Sequence, residues 1–595
     1  MSFIRLFPVR VIAALAMLCA MLLALPAFAA QSSTPAQTDL GVLVVTPDRG
    51  FLGNAEIGDA FAAFAQGRNA ELLYVTDARS EAVLDARLKS LRERGARAVA
   101  VLPLFVSTQE ARWQLAQGWL QARKAQGLAL LMAKPYGASY LAVEDLSARL
   151  RDTHTDAQRL LLVGYGAGSP GAAETMRAEL RRIGAFASTL PADAIDAVVY
   201  PERGAQESAV LRSRFTDAVK AAHGAVIVPV GFTPRADTMM DFNGWFASDV
   251  PADATLVASP QATTDALTQW MQRAAAQVAL QQATVDPAQF GVVVLTHGAD
   301  WFWNDAIEQA LAPLASRQPM AFAFSMADPP TIERAVRELE HANARAVVVV
   351  RAFGMADSFR SDVDRMLGLD VESGAAPPAH SDHAMGGMAG MHGMGGMDMG
   401  HHGASAGIAA APRIRSALPM VTVGGVDADP LFARALLANA RSVSTGPVRE
   451  TIILTAHGQG DDAANQRWLD LLNSLASQMR AIGGDHFRAI RVATWREDWP
   501  DKNKIAVAQV RAMVEEAGRD GGRALIVPAR INGRGAADRY LAGLDFGWGQ
   551  GFVQTPYFAQ WVEQEIGKGV DALHAPVPAV PAAAPEGEGK PHAHH

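Results

Sequence analysis

The chain has 595 residues, with 53 lysines and arginines against 61 aspartates and glutamates, a formal charge of -8, and 49% apolar residues. With no basic block anywhere, nucleic acid and an anionic membrane surface are excluded as expected partners, while the apolar content is ample for packed cores. The single cysteine, Cys19, lies inside the first apolar run and lacks the small residue expected just before a lipidated cysteine. Once that run is removed no thiol remains, so disulfides and thiolate-held metals are excluded. Any metal must then be held by His, Met, Asp, Glu or backbone oxygen.

Arg5 and Arg10 flank the start of the chain, residues 11–25 are apolar, and Ala27-Phe28-Ala29 stands ahead of the polar Gln31-Ser32-Ser33. This is the pattern of a signal peptide over residues 1–30, cut after Ala29 or Ala30. An uncleaved anchor is the other reading, but the run is shorter than the about 20 apolar residues a spanning helix needs. The expectation is a periplasmic or secreted protein that leaves the membrane after cleavage.

Four β-type runs ending in a tight turn then recur along the chain. They are Gly41-Val-Leu-Val-Val-Thr-Pro47, Leu160-Leu-Leu-Val-Gly-Tyr165-Gly, Gly291-Val-Val-Val-Leu-Thr-His297-Gly and Thr451-Ile-Ile-Leu-Thr-Ala-His457-Gly. Each is followed by an amphipathic helix pattern, a second β run, another helix, and a third, continuously apolar run at 98–105, 225–230, 346–353 or 524–528. Apolar strands bounded by helices signal parallel sheets covered on both faces. A fourth element leads into a last helix each time: Met132-Ala-Lys-Pro135-Tyr, Leu256-Val-Ala-Ser-Pro260, Val421-Thr-Val-Gly-Gly-Val and Phe552-Val-Gln-Thr-Pro556-Tyr. The units run over 40–157, 158–280, 289–445 and 449–572, close to ordinary domain size. A tail at 573–595 ends in His592, His594 and His595.

The third unit is interrupted at 371–412 by a Pro-, Gly-, Ala- and Ser-containing stretch. It carries His380, His383, Met385, Met388, Met391, His392, Met394, Met397, Met399, His401 and His402, with methionine at every third position from 385 to 397. No helical or strand period buries these side chains, so the composition does not build a core. Thioether sulfur favours Cu(I), and imidazole accepts Cu(II), Ni(II), Co(II) and Zn(II), which points to metal capture with copper first and nickel or cobalt next. The other reading is low-complexity drift in a tolerant surface loop.

The third unit's Leu295-Thr-His297-Gly, with Asn304 seven positions on, is joined by Asp328-Pro-Pro-Thr-Ile-Glu-Arg and Asn343-Ala-Arg-Ala-Val-Val-Val-Val. The fourth has Ala456-His457-Gly with Asn465, and the first Leu102-Pro-Leu-Phe105-Val-Ser. In this order the motifs resemble the sirohydrochlorin cobaltochelatase and ferrochelatase family, the class II chelatases. The resemblance implies an α/β fold of four flavodoxin-like, parallel-sheet units arranged as two bilobal modules, with a cleft at the C-terminal ends of the strands. Pairing within one chain implies a monomer. The implied activity is insertion of a divalent metal (Co, Ni or Fe) into a sirohydrochlorin-type tetrapyrrole, with the metal ion and the tetrapyrrole as partners.

His297 and His457 match the family's first-strand histidine, which ligates the metal and accepts a pyrrole proton. The plainer reading is that each His-Gly pair only makes a turn, with Asn304 and Asn465 capping the next helix. Pro47 and Tyr165 take the histidine's place in the first two units. The family's second histidine, shortly past the third strand, is absent from all four, near Ala111, Asp237, Phe359 and Ala536. Activity as an enzyme is therefore left open. The alternative is a non-catalytic periplasmic protein that buffers or delivers Cu, Ni or Co on a degenerate chelatase scaffold, and a third reading is a tetrapyrrole carrier. Arg351, Arg530 and Arg534, at the ends of third strands, are candidates for binding tetrapyrrole carboxylates, or else solvated arginines.

Overall fold

The computed structural model describes residues 39–152, 158–188, 190–231, 246–257, 264–281, 286–369 and 414–575. The signal-peptide segment, every ligand residue of the 371–412 stretch and His592, His594 and His595 of the tail lie outside them, while the first tail residues close the last helix, which ends at His574.

Four parallel four-stranded sheets follow one another along the chain. The first contains β1 (Leu40–Pro47), β2 (Ala70–Val75), β3 (Ala98–Pro103) and β4 (Ala129–Met132); the second β5 (Leu160–Ala167), β6 (Ile195–Pro201), β7 (Val226–Pro229) and β8 (Thr255–Leu256). The third contains β9 (Phe290–Thr296), β10 (Met320–Phe324), β11 (Ala346–Ala352) and β12 (Met420–Gly424); the fourth β13 (Glu450–Ala456), β14 (Ala489–Thr494), β15 (Arg523–Pro528) and β16 (Phe546–Trp548). Within each, the spatial order is second, first, third, fourth strand. The protein is thus α/β with a repeated unit, as the apolar runs indicate.

Alternation along the central strands supplies two cores per sheet, because successive side chains point to opposite faces. Val292 and Val294 face one core, Val293 and Leu295 the other. The fourth elements fall differently from their sequence reading in one unit. The strand there is Phe546–Trp548, and Phe552–Gln554 is a 3-10 turn ahead of the last helix. Three residues are too short a run to show a strand period, whereas the buried Phe552 and Val553 give an apolar signal without being a strand.

The last helix of each unit packs on the neighbouring unit. Pro556–His574, after β16, lies against β11 and β12 of the third sheet, while Pro430–Val443, after β12, packs on β15 and the helix Asp462–Ala481 of the fourth. At the first contact Gly569 is required, since a Cβ there would sit 2.4 Å from Val348 Cγ1. One hydrophobic core consequently runs through the third and fourth units. The first two units trade helices likewise: Leu267, Trp270, Met271 and Val278 enter the first unit's core, and Tyr140, Val143, Leu146 and Leu150 the second's. The two modules touch where Arg273 donates to the carbonyls of Leu367 (2.7 Å), Gly368 (2.9 Å) and Ser416 (3.1 Å), on either side of the Met/His segment. Among the described residues no helix is long and apolar enough to cross a membrane.

Candidate functional site

Strands β9 and β13 end at the same place in their sheets, and the next residues, His297 and His457, line one cleft of about 690 Å³ between the third and fourth units. Its walls carry Trp303, Phe353 and Phe359 from one lobe, Trp468 and Trp499 from the other, and Phe432 from the exchanged helix. The lobes touch directly at its floor. Asn532 Nδ2 donates to the Trp303 carbonyl at 2.8 Å, and the Trp468 ring approaches Gly354 so closely that a Cβ there would lie 2.5 Å from a ring carbon.

The turns that present the histidines are fixed by the helices behind them. Asp300 and Asp461 are the helix caps, accepting from the Trp303 and Ala464 amides. Asn304 and Asn465 are not caps. One turn further in, each reaches back: Asn304 Oδ1 accepts from the Ala299 amide at 3.2 Å, and Asn465 Oδ1 from the Gln459 amide (3.2 Å) and the Thr494 hydroxyl (2.9 Å). Asn54 makes the corresponding bond to the Arg49 amide, 2.8 Å, in the first unit. These asparagines hold the loop that carries the histidine position.

The two imidazoles have unlike surroundings. His457 Nδ1 lies 3.0 Å from the Gly458 carbonyl and Nε2 3.2 Å from Asp498 Oδ2. With the Nδ1 proton given to the carbonyl, Nε2 is the nitrogen that accepts a proton, and Asp498 stands ready to stabilise the cation that results. Among the described residues no carboxylate pairs with His297, although Asp498 is near enough to oppose the shift in its pKa. Its ring meets Phe353 edge-on at 5.7 Å, and although its side chain is open to the cleft, burial by the surrounding walls, with the nearby His457 and Arg530, depresses its pKa below the ordinary histidine value. Two bulky residues in loops of the cleft, Phe359 (φ 56°) and Arg496 (φ 53°), hold the sparsely populated left-handed conformation, a feature that clusters at functional sites.

The arginines divide. Arg530 lines the cleft and pairs with Glu497. Arg351 is 1% exposed and does not reach the cleft: its guanidinium donates to the carbonyls of Ser358 and Gly424, both at 2.8 Å. Strand β11 is covered on both faces, so a side chain from it is committed to the interior. Arg534 is exposed and stacks over Trp548 at 5.4 Å, away from the cleft. Sequence reasoning missed Asp498, Trp499, Trp468 and the exposed Arg467, all on the cleft wall. Only Asp498 had a sequence signal, as an acidic residue in the turn after a second strand. Phe359, near which the resemblance implies a second histidine, does line the cleft.

In the N-terminal module charged pairs surround the corresponding positions. Arg112 bridges the lobes, 3.0 Å from Glu202 and donating to the Asp48 carbonyl at 2.6 Å. Arg49 pairs with the buried Glu110 at 3.2 Å, and the Tyr165 ring stacks on Tyr200. Arg112 and Glu202 are only 10% and 12% exposed. Removing one partner leaves a charge stranded, so Arg112→Ala is expected to destabilise the protein by about 3 kcal/mol. Urea denaturation reads this directly; an unchanged midpoint would show that the pair contributes nothing.

No protein family matches the chain in sequence, and no curated protein does. Among solved structures, a multi-domain protein of Deinococcus radiodurans, described as structurally similar to chelatases and as having two additional novel domains, is similar at 18% identity with a TM-score of 0.30. The match covers 47% of this chain and 55% of that one, so this chain spans little more than half of the relative's length. The likeness is distant, and the fold stated above rests on the strands and their order.

Proposed function

We propose that the C-terminal module is a chelatase-type metal site that takes a flat tetrapyrrole between its lobes, with a divalent ion as the second substrate. The observation that carries this reading is the placing of two imidazoles, one from each lobe, on a single cleft with six aromatic side chains. Aromatic walls with a few polar groups suit a large planar ligand. Arg467 and Arg530 offer cationic partners for its carboxylates. As the ion replaces two pyrrole protons, His297 would offer a lone pair to the metal, His457, backed by Asp498, would take one of the protons, and water in the open cleft would carry off the other. Among the described residues no three His, Cys, Asp or Glu side chains gather as a metal-holding cluster. Two imidazoles on separate walls suit an ion in transit. In this reading the protein works outside the cytoplasm, and the 371–412 segment gathers the ion.

The aromatic residue at Phe359, in place of a second histidine, favours the alternative of a metal buffer or delivery protein. The test is to add sirohydrochlorin and Co(II) to the full chain and follow the visible absorption. The metallated spectrum is expected with the natural protein and is lost in His297→Ala/His457→Ala, while the unmetallated tetrapyrrole still binds. If the natural protein neither binds the tetrapyrrole nor changes its spectrum, and all metal departs with deletion of 381–402, the buffer reading replaces this one.

A further inference from the structure

Only one of the two walls of the cleft carries sulfur. In the third sheet β9 lies between β10 and β11, and Thr296, the last residue of β9, pairs with Phe324 on one side and Ala352 on the other. Beyond that common level come His297 on the central strand, Met326 two residues on from Phe324, and Met355 three residues on from Ala352. The loops that follow β10 and β11 leave the sheet on either side of the one that carries His297. All three residues line the cleft, and both methionines are half-buried there, not sealed in a core.

The fourth sheet has the same framework with different donors. Ala456, ahead of His457, pairs with Thr494, and the positions matching the methionines are Arg496 and Asn532. Arg496 is engaged with the Gln459 carbonyl at 2.7 Å and with Asp462, and Asn532 with the Trp303 carbonyl. Sulfur is therefore confined to the His297 wall, which also carries Asp357 and Asp362, whereas the His457 wall holds Asp498 and Arg530 and no sulfur.

We infer that His297, Met326 and Met355 form a site for a soft monovalent ion of the Cu(I) class. The inference rests on the cleft being a metal site, as proposed above, and adds to the divalent ion in transit a soft ion that competes with it for His297. Thioethers are neutral, polarisable donors that prefer Cu(I) and Ag(I) to Co(II), Ni(II) or Zn(II), and an imidazole completes such a set. Binding needs no electron transfer and releases no proton from a thioether.

The test uses the full chain labelled with ¹³C at the methionine methyl groups and Ag(I) as a redox-inert probe. Met326→Leu and Met355→Leu, which nearly conserve volume, assign the two signals and leave the fold in place. Ag(I) is added until the signals of the 371–412 segment stop moving. The Met326 and Met355 methyls are then expected to have shifted, Zn(II) at the same excess to leave both in place, and His297→Ala to weaken the Ag(I) response on the order of tenfold. Signals that stay put with Ag(I), that move equally with Zn(II), or that respond unchanged in His297→Ala each overturn the assignment and make the methionines apolar lining. These readouts need no tetrapyrrole. Their failure is distinct from failure of the chelatase reading, which shows in the cobalt absorption experiment.

Discussion

If the cleft inserts cobalt as proposed, His457→Ala is expected to lower that rate on the order of 10²-fold or more, the usual contribution of a positioned acid or base. In the proposed reaction the ring nitrogen that faces Asp498 is the acceptor, so Asp498→Asn, which keeps the shape and removes the charge, is expected to lower the rate less, by roughly tenfold. His297→Ala acts on metal affinity and not on the proton, and so raises the cobalt concentration needed. The pH profile separates the two. Because burial holds the His297 pKa below 6.5, its lone pair stays available at pH values where a free imidazole is already protonated, and metal dependence on this residue persists to lower pH. The linked stability has a definite sign. Between its depressed folded value and 6.5 the unfolded chain binds the proton and the folded one does not, so the histidine's contribution is intact above 6.5 and is lost as pH falls through the folded value. A rate for His457→Ala within twofold of the natural protein would show that another group takes the proton.

Arg351→Met destabilises the protein by about 3 kcal/mol, read as a lower urea midpoint at unchanged slope. Two effects oppose each other here. Burial disfavours the guanidinium charge enough to bring its pKa down to about 10, against the attraction of Asp364, and methionine relieves that burden while keeping the stem packed. Against this, the Ser358 and Gly424 carbonyls lose a charged donor, each loss costing about 1–3 kcal/mol when the acceptor is buried. The second effect is expected to win because two acceptors lose the one side chain that bonds both, from a position only 1% exposed. Arg351→Lys does not restore stability, since one ammonium does not span both carbonyls. The clamp also holds the 353–359 loop, which carries Phe353, Met355 and Phe359 to the cleft. A neutral or stabilising Arg351→Met would show that the loop holds itself.

The central strands and their parallel pairing were legible from runs such as Val292–Leu295, because a strand buried on both faces must be apolar throughout. His297 and His457 were legible as residues at the ends of such runs. What was hidden depends on which surfaces meet. Periodicity shows that Pro556–His574 has an apolar face, yet nothing local says that the face belongs to another unit's sheet. Asp498 and Trp468 reach the cleft only because their loop and helix are brought to it by tertiary packing. Arg351 misled for the converse reason: its position by a strand end suggested the cleft, while its burial is decided by the loop folded over it.

The exchange of closing helices has a consequence for how the walls of the cleft can change. A symmetric pair made of two identical chains must carry every substitution twice, so both sides of its cavity stay alike. Here the halves are held by mutual embrace and encoded separately, which frees each to alter alone while the other preserves the joint. The same arrangement means that cutting the backbone between the third and fourth units leaves two pieces still interlocked, each retaining the other's last helix as a non-covalent fastener.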